Sequence, residues 1–197
     1  MADQDDIRRS RATNARPKIE RAALQLFVDS GVDAATTREI ASSAGVSEGA
    51  LYRHYRSKDE LALALFMETH NRLGSMLGAA LASDGTIEER VRRAVEAYCA
   101  LADEDWLLFS FHLVSLNRFL PHDSRREDDP VSRLEKIVAA MMAAGDIPQG
   151  DPALVTAMCL GVVMQPAQHK IYNRLPGPFS GHADTFTRSI LAILHQK

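Results

Sequence analysis

The side chains of this 197-residue sequence that could make or break bonds are scattered along it. His112, His122, His169 and His182 each lack a partner four residues away, so no helix face presents a pair of metal ligands. Cys99 and Cys159 lie far apart without Cys-x-x-Cys spacing and read as reduced, buried thiols. No Gly-rich phosphate loop occurs, and no carboxylate pair sits in a defined setting. The expectation is therefore a protein with no catalytic residue, no metal site and no cofactor. The chemistry that remains is recognition by hydrogen bonds and charge, and it concentrates near the N-terminus. Residues 1–58 hold ten Lys or Arg against eight Asp or Glu, three of which (Asp3, Asp5, Asp6) sit at the extreme end. The remainder is acidic, and the whole chain carries −3. A mildly basic segment on an acidic body suits a module that faces phosphates.

The elements that position these residues are helical. Apolar residues make up 46% of the chain and recur with helical spacing, while long alternating β-branched stretches are missing. Residues 1–15 read as a flexible arm carrying Arg8, Arg9 and Arg11, with Arg16 beside it. Pro17 suits the first turn of a helix, and Gly31 stops it. Thr36 and Glu39 form a capping box for a short second helix that Gly45 ends. Ser47 caps a third helix to about His54, and Ser57 with Glu60 opens a long fourth helix to about Leu81. Helical spacing follows from Ile87 to Leu101, and helices over residues 106–120, 130–144, 152–172 and 182–195, set off by Gly or Pro breaks. Residues 122–129 and 175–180 read as loops, and Pro166 predicts a kink. The prediction is nine helices and no strand. The polar N-terminus and the lack of an apolar run of about 18 residues point to a cytoplasmic protein with no membrane partner.

Helix, Gly-containing turn, helix over residues 36–54 is the pattern of a helix-turn-helix, whose second helix can enter a DNA major groove. The stretch AALQLFVDSGVDAATTREIASSAGVSEGALYRHYRSKDELALALF resembles the N-terminal signature of the TetR family. The features that carry the resemblance are Phe27, Gly31, Thr36, Ile40-Ala41, Ala44-Gly45-Val46-Ser47, Gly49, Leu51-Tyr52, Tyr55, Ser57-Lys58 and Leu61. It covers about a quarter of the chain. Two positions depart from the family pattern: Glu48 stands where a Lys is frequent, and Ala50 where a Thr or Ser is. Glu48 repels a phosphate unless it accepts from a cytosine amine or pairs with Arg53. Tyr55 replaces a usual Phe.

The resemblance implies an all-α regulator, with a flexible arm (1–15), a three-helix DNA-binding head (16–60) and a roughly six-helix ligand-binding and dimerisation body (61–197). The expected DNA face comprises Thr36, Thr37, Ser47, Glu48, Gly49, Ala50, Tyr52, Arg53, His54 and Lys58. In it Tyr52, Ser47, Thr36 and Lys58 hold phosphates and Arg53 reads a guanine edge. The last two helices are expected to form the homodimer interface through Ala157, Gly161, Val162, Ile190 and Leu194. The inducer pocket is expected around Trp106, Phe109, His112, Leu113, Met141, Asn117, Gln165 and His169, a mostly apolar lining with sparse hydrogen bonds. The loop at 122–129 is its expected entrance. The expected partners are a palindromic double-stranded operator, a small, mainly apolar inducer and a second copy of the chain. The competing reading is a helical ligand-binding or scaffold protein whose head, with Glu48 and Ala50, has lost DNA binding.

Overall fold

The computed structural model describes residues 15–120 and 130–196. The expected entrance loop at 122–129 and the expected arm at 1–15 lie outside them, except for Ala15, which is the first residue of a helix. Nine α-helices and no strand occur among the described residues. They are α1 (Ala15–Ser30), α2 (Thr37–Ala44), α3 (Glu48–His54), α4 (Lys58–Ala82), α5 (Ile87–Glu104), α6 (Trp106–Phe119), α7 (Pro130–Ala144), α8 (Pro152–Ile171) and α9 (Ala183–Leu194). None is long and apolar enough to cross a membrane. The chain forms two compact units, to Glu68 and from Thr69 onward, and α4 is shared between them.

In the first unit, Ile19, Ala23 and Phe27 of α1, Ile40 and Ala41 of α2 and Leu51 of α3 are buried, together with Leu61 and Leu65 of α4. These are the periodic apolar positions of each helix, so the 3.6-residue repeat places them inside. Residues 61–68, assigned to the body on sequence, belong to this unit. Arg16, expected beside a free arm, lies within α1 and bonds Glu20 one turn on, at 2.7 Å.

The second unit holds a continuous core of α5 to α9 and the later part of α4, including Val95, Tyr98, Phe109, Leu113, Met141, Val163 and Ile190. The segment expected as a plain loop before α9 contains a 3-10 turn, Phe179–His182, and its Phe179 is fully buried. Phe179 meets the rings of Tyr98, Trp106 and Phe186. The turn is fastened by Asp103, whose carboxylate accepts from the Phe179 and Ser180 amides at 2.6 and 2.8 Å. α8 continues through Pro166, whose missing N–H leaves the Val162 carbonyl without its helical donor.

Candidate nucleic-acid interface and ligand cavity

The turn between α2 and α3 follows from local chemistry. Gly45 adopts φ 67°, a left-handed conformation that costs an L side chain energy. Its amide donates to the Ser42 carbonyl and that of Val46 to the Ala41 carbonyl, at 3.1 and 3.0 Å. This pair of bonds is a Schellman closure, which turns the chain sharply at the end of α2. Ser47 then caps α3 by accepting from the Ala50 amide at 3.2 Å. Gly45-Val46-Ser47-Glu48-Gly49 thus spells the Gly-x-Ser-x-Gly pattern of hydrolase nucleophiles, but it joins helix to helix rather than strand to helix.

On α3, Glu48, Gly49, Tyr52 and Arg53 are exposed along with the cap Ser47, and His54 is half-buried. No hydrogen bond or ion pair restrains Arg53 among the described residues. Tyr52 is 50% exposed, and its hydroxyl lies 3.3 Å from the Thr37 hydroxyl at the start of α2. That contact brings the first turn of α2 and the outer face of α3 into one polar surface.

Three residues expected on this face are engaged within the protein itself. Ala50 is only 7% exposed, because the position three after the cap points back toward α1 and α2. Thr36 is consumed by its own capping box. Its amide and hydroxyl both donate to Glu39 Oε2, at 2.9 and 2.8 Å, and its oxygen accepts from the Glu39 amide. Those bonds hold the Glu39 carboxyl below its usual range. Lys58 donates to the Asp33 and Ala35 carbonyls at 2.7 and 2.9 Å. Two of its three N–H groups therefore clamp the loop between α1 and α2, and it is first a structural clip. The Ser57 box is also only half formed. Ser57 accepts from the Glu60 amide, but Glu60 accepts from the Arg56 amide instead of that of Ser57.

Tyr55 is core, as its spacing suggested, and its hydroxyl donates to Glu20. Burial first, and then the Glu20 carboxylate, push the phenol up to about 12. The same carboxylate accepts from Arg16. A phenol in place of phenylalanine thus ties the end of α3 to α1.

In the second unit an apolar cavity of about 90 Å3, partly open on one side, lies among α4, α5, α7, α8 and α9. Of the expected pocket residues only Met141 lines it. Trp106 stacks on Phe109 and carries the Lys170 ammonium 5.1 Å from its ring centre. Phe109 and Leu113 are core. His112 Nε2 lies 3.2 Å from His70 Nδ1, and burial, then the neighbouring His70, push the His112 ring down to about 3. Asn117, Gln165 and His169 are exposed. The reason is that α6 is apolar on most faces, so its period does not say which face is filled. Sequence reasoning missed Tyr98 and Thr156, which do line the cavity. A polar residue in an otherwise apolar helix period was the available signal, and Thr156 carries it.

The expected dimer residues also divide. Ala157 and Gly161 are exposed on α8 and Val162 is half-buried beside them. Ile190 and Leu194 point inward and line the cavity, so they are not available to a second copy.

A left-handed glycine closure between two short helices, with the second presenting polar side chains outward, defines a helix-turn-helix protein. Residues 19–65 match the family model described as bacterial regulatory proteins, tetR family. The transcriptional activator FasR of Mycolicibacterium smegmatis is 39% identical over 102 residues, 49% of this chain and 47% of that protein. The transcriptional repressor AcnR of Corynebacterium diphtheriae is 26% identical over 141 residues, 68% of this chain and 70% of that protein. The chain spans about half the length of the first of these relatives. A TetR family transcription regulator from Marinobacter aquaeolei superposes with a TM-score of 0.76 at 19% identity, over 96% of this chain and all of that one, and so shares the fold. The family match thus covers residues 19–65, the helices of the first unit.

Proposed function

We propose that this chain is a ligand-responsive transcriptional regulator, a cytoplasmic repressor that binds a palindromic operator as a homodimer and leaves it when a small molecule occupies the second unit. The observation that carries the reading is the outward face of α3, where Ser47, Glu48, Gly49, Tyr52 and Arg53 stand exposed behind a rigid turn. A helix held this way enters a major groove, and Arg53 is free to make a bidentate contact to a guanine. Tyr52 and Thr37 offer hydroxyls to the flanking phosphates. Two-fold DNA sites require a two-fold protein, and the exposed small residues Ala157 and Gly161 of α8 let a second copy approach closely. Ligand and DNA are coupled when the ligand favours one arrangement of the chain over another; a difference of about 1–3 kcal/mol suffices. The test is selection of bound sequences from random DNA with the full chain. The expected product is an inverted repeat, and Arg53→Ala should relax preference at one position per half-site, by roughly 1–3 kcal/mol. No enriched sequence would refute the reading.

A further inference from the structure

The cavity of the second unit is walled by hydrocarbon. Leu77 of α4, Val95 of α5, Ile137 of α7, Val163 of α8 and Leu194 of α9 all line it, and no residue in the wall is charged. No nitrogen or oxygen atom reaches its surface. Tyr98 and Thr156 present only carbon to it, because their hydroxyl oxygens are themselves covered. An atom that enters therefore finds neither a donor nor an acceptor. A polar one would leave its water and gain nothing in exchange, whereas a hydrocarbon loses only unfavourable contact with water. Water is a poor occupant for the same reason, since it needs two to four polar partners. Volume sets the size of what enters. The cavity measures about 90 Å3, whereas roughly 150 Å3 encloses a benzene ring. In proportion it holds about four carbon atoms, too few for an aromatic ring, and it is open on one side.

We propose that this cavity seats the unbranched hydrocarbon end of a ligand, about four carbons long, and that every polar atom of that ligand stays at or beyond the opening. This rests on the ligand-responsive reading and narrows it to a class: molecules with an uninterrupted terminal alkyl chain, as against rings and chains with a polar atom near both ends. Each methylene that enters should tighten binding about fourfold. The place of a polar atom along the chain, and not the overall polarity of the molecule, then sets the affinity. Leu77 and Leu81 put α4 in this wall, so the occupant touches the helix that both units share. Ala94 of α5 also lines the cavity, with a single methyl group. A longer side chain at that position would fill the space from within.

The test titrates the full chain, labelled at its Leu, Val and Ile methyl groups for NMR, with 1-pentanol, its isomer 3-pentanol and 1,5-pentanediol. 1-Pentanol can insert four carbons and keep its hydroxyl at the opening, whereas 3-pentanol can insert only two. Methyl shifts should concentrate at lining residues such as Leu77 and Val163. 1-Pentanol should bind about tenfold tighter than 3-pentanol. The diol must bury a hydroxyl to fill the cavity and should bind at least about tenfold more weakly than 1-pentanol. Ala94→Leu should weaken 1-pentanol at least about tenfold, and Ala94→Val, the smaller step should leucine disturb folding, at least about fourfold. Equal affinity for the two pentanols would overturn the proposal. So would a diol that binds as tightly as 1-pentanol, shifts confined to residues away from the cavity, wild-type affinity in a folded Ala94 variant, or no binding of any probe. A gel shift with the selected DNA separates this from the regulator reading. Binding of 1-pentanol with the expected preference that leaves DNA bound supports the hydrocarbon seat and sinks release through this cavity. Sequence-selective DNA binding by a chain that shows no preference among the probes keeps the regulator and sinks the seat.

Discussion

Replacing Lys58 by methionine keeps the length and apolar stem of the side chain and removes its ammonium. In the structure that ammonium donates to the Asp33 and Ala35 carbonyls. Hydrogen bonds to charged groups contribute about 1.5–3 kcal/mol each when shielded. Lys58 is half-buried, so water replaces part of that when the group is lost. The expected cost is about 1–2 kcal/mol for the pair. For a chain of this size that lowers the melting temperature by roughly 2–8 °C. Operator affinity should fall with the loosened loop, but the slope of log affinity against log salt should stay at its wild-type value. A phosphate contact behaves differently: its loss would reduce the slope by about 0.9. The assays are thermal unfolding of the full chain and fluorescence anisotropy of labelled operator across salt concentrations. An unchanged melting temperature together with a slope reduced by about 0.9 would show that Lys58 holds DNA and not the loop.

Gly161→Glu tests the interface. A Cβ there meets nothing within 4 Å in the single chain, so the protomer should fold normally. Its charge would be buried unpaired against a second copy, so light scattering should report monomers with weakened operator binding; a dimer of normal affinity would move the interface elsewhere. Asp103 sets part of the acid limit of stability. Burial pushes its carboxyl up, but the Ser180 and Phe179 bonds outweigh this and hold it below its usual range. A lowered folded value means the stabilisation is present above about pH 4, the unfolded range, and is lost as pH falls through the folded value. Asp103→Asn should therefore be less stable at neutral pH and show a shallower loss below about pH 4. Urea midpoints across pH check this, and an acid limb identical to wild type would remove Asp103 from the fastening of the 3-10 turn.

Residue type and spacing were enough to read the helices and the turn between α2 and α3. Those signals are local: Thr36 with Glu39, the left-handed Gly45 and the Ser47 cap act within four residues, and apolar period fixes which side of α1, α2 and α3 turns inward. Burial of Ala50 was legible in the same period, but the family's polar residue at that position drew it to the surface. Long-range contacts were not legible in that way. Lys58 looks like a free cation until the Asp33 and Ala35 carbonyls arrive from 25 and 23 residues away. Phe179 looks like a loop residue until Asp103 ties its amide down and Tyr98, Trp106 and Phe186 enclose it. The cavity was illegible for the same reason. A helix that is apolar on most faces, such as α6, gives no sign of which face is filled, and a void among five helices belongs to none of them. Only packing separates Trp106, which stacks on Phe109, from Tyr98 and Thr156, which line the cavity.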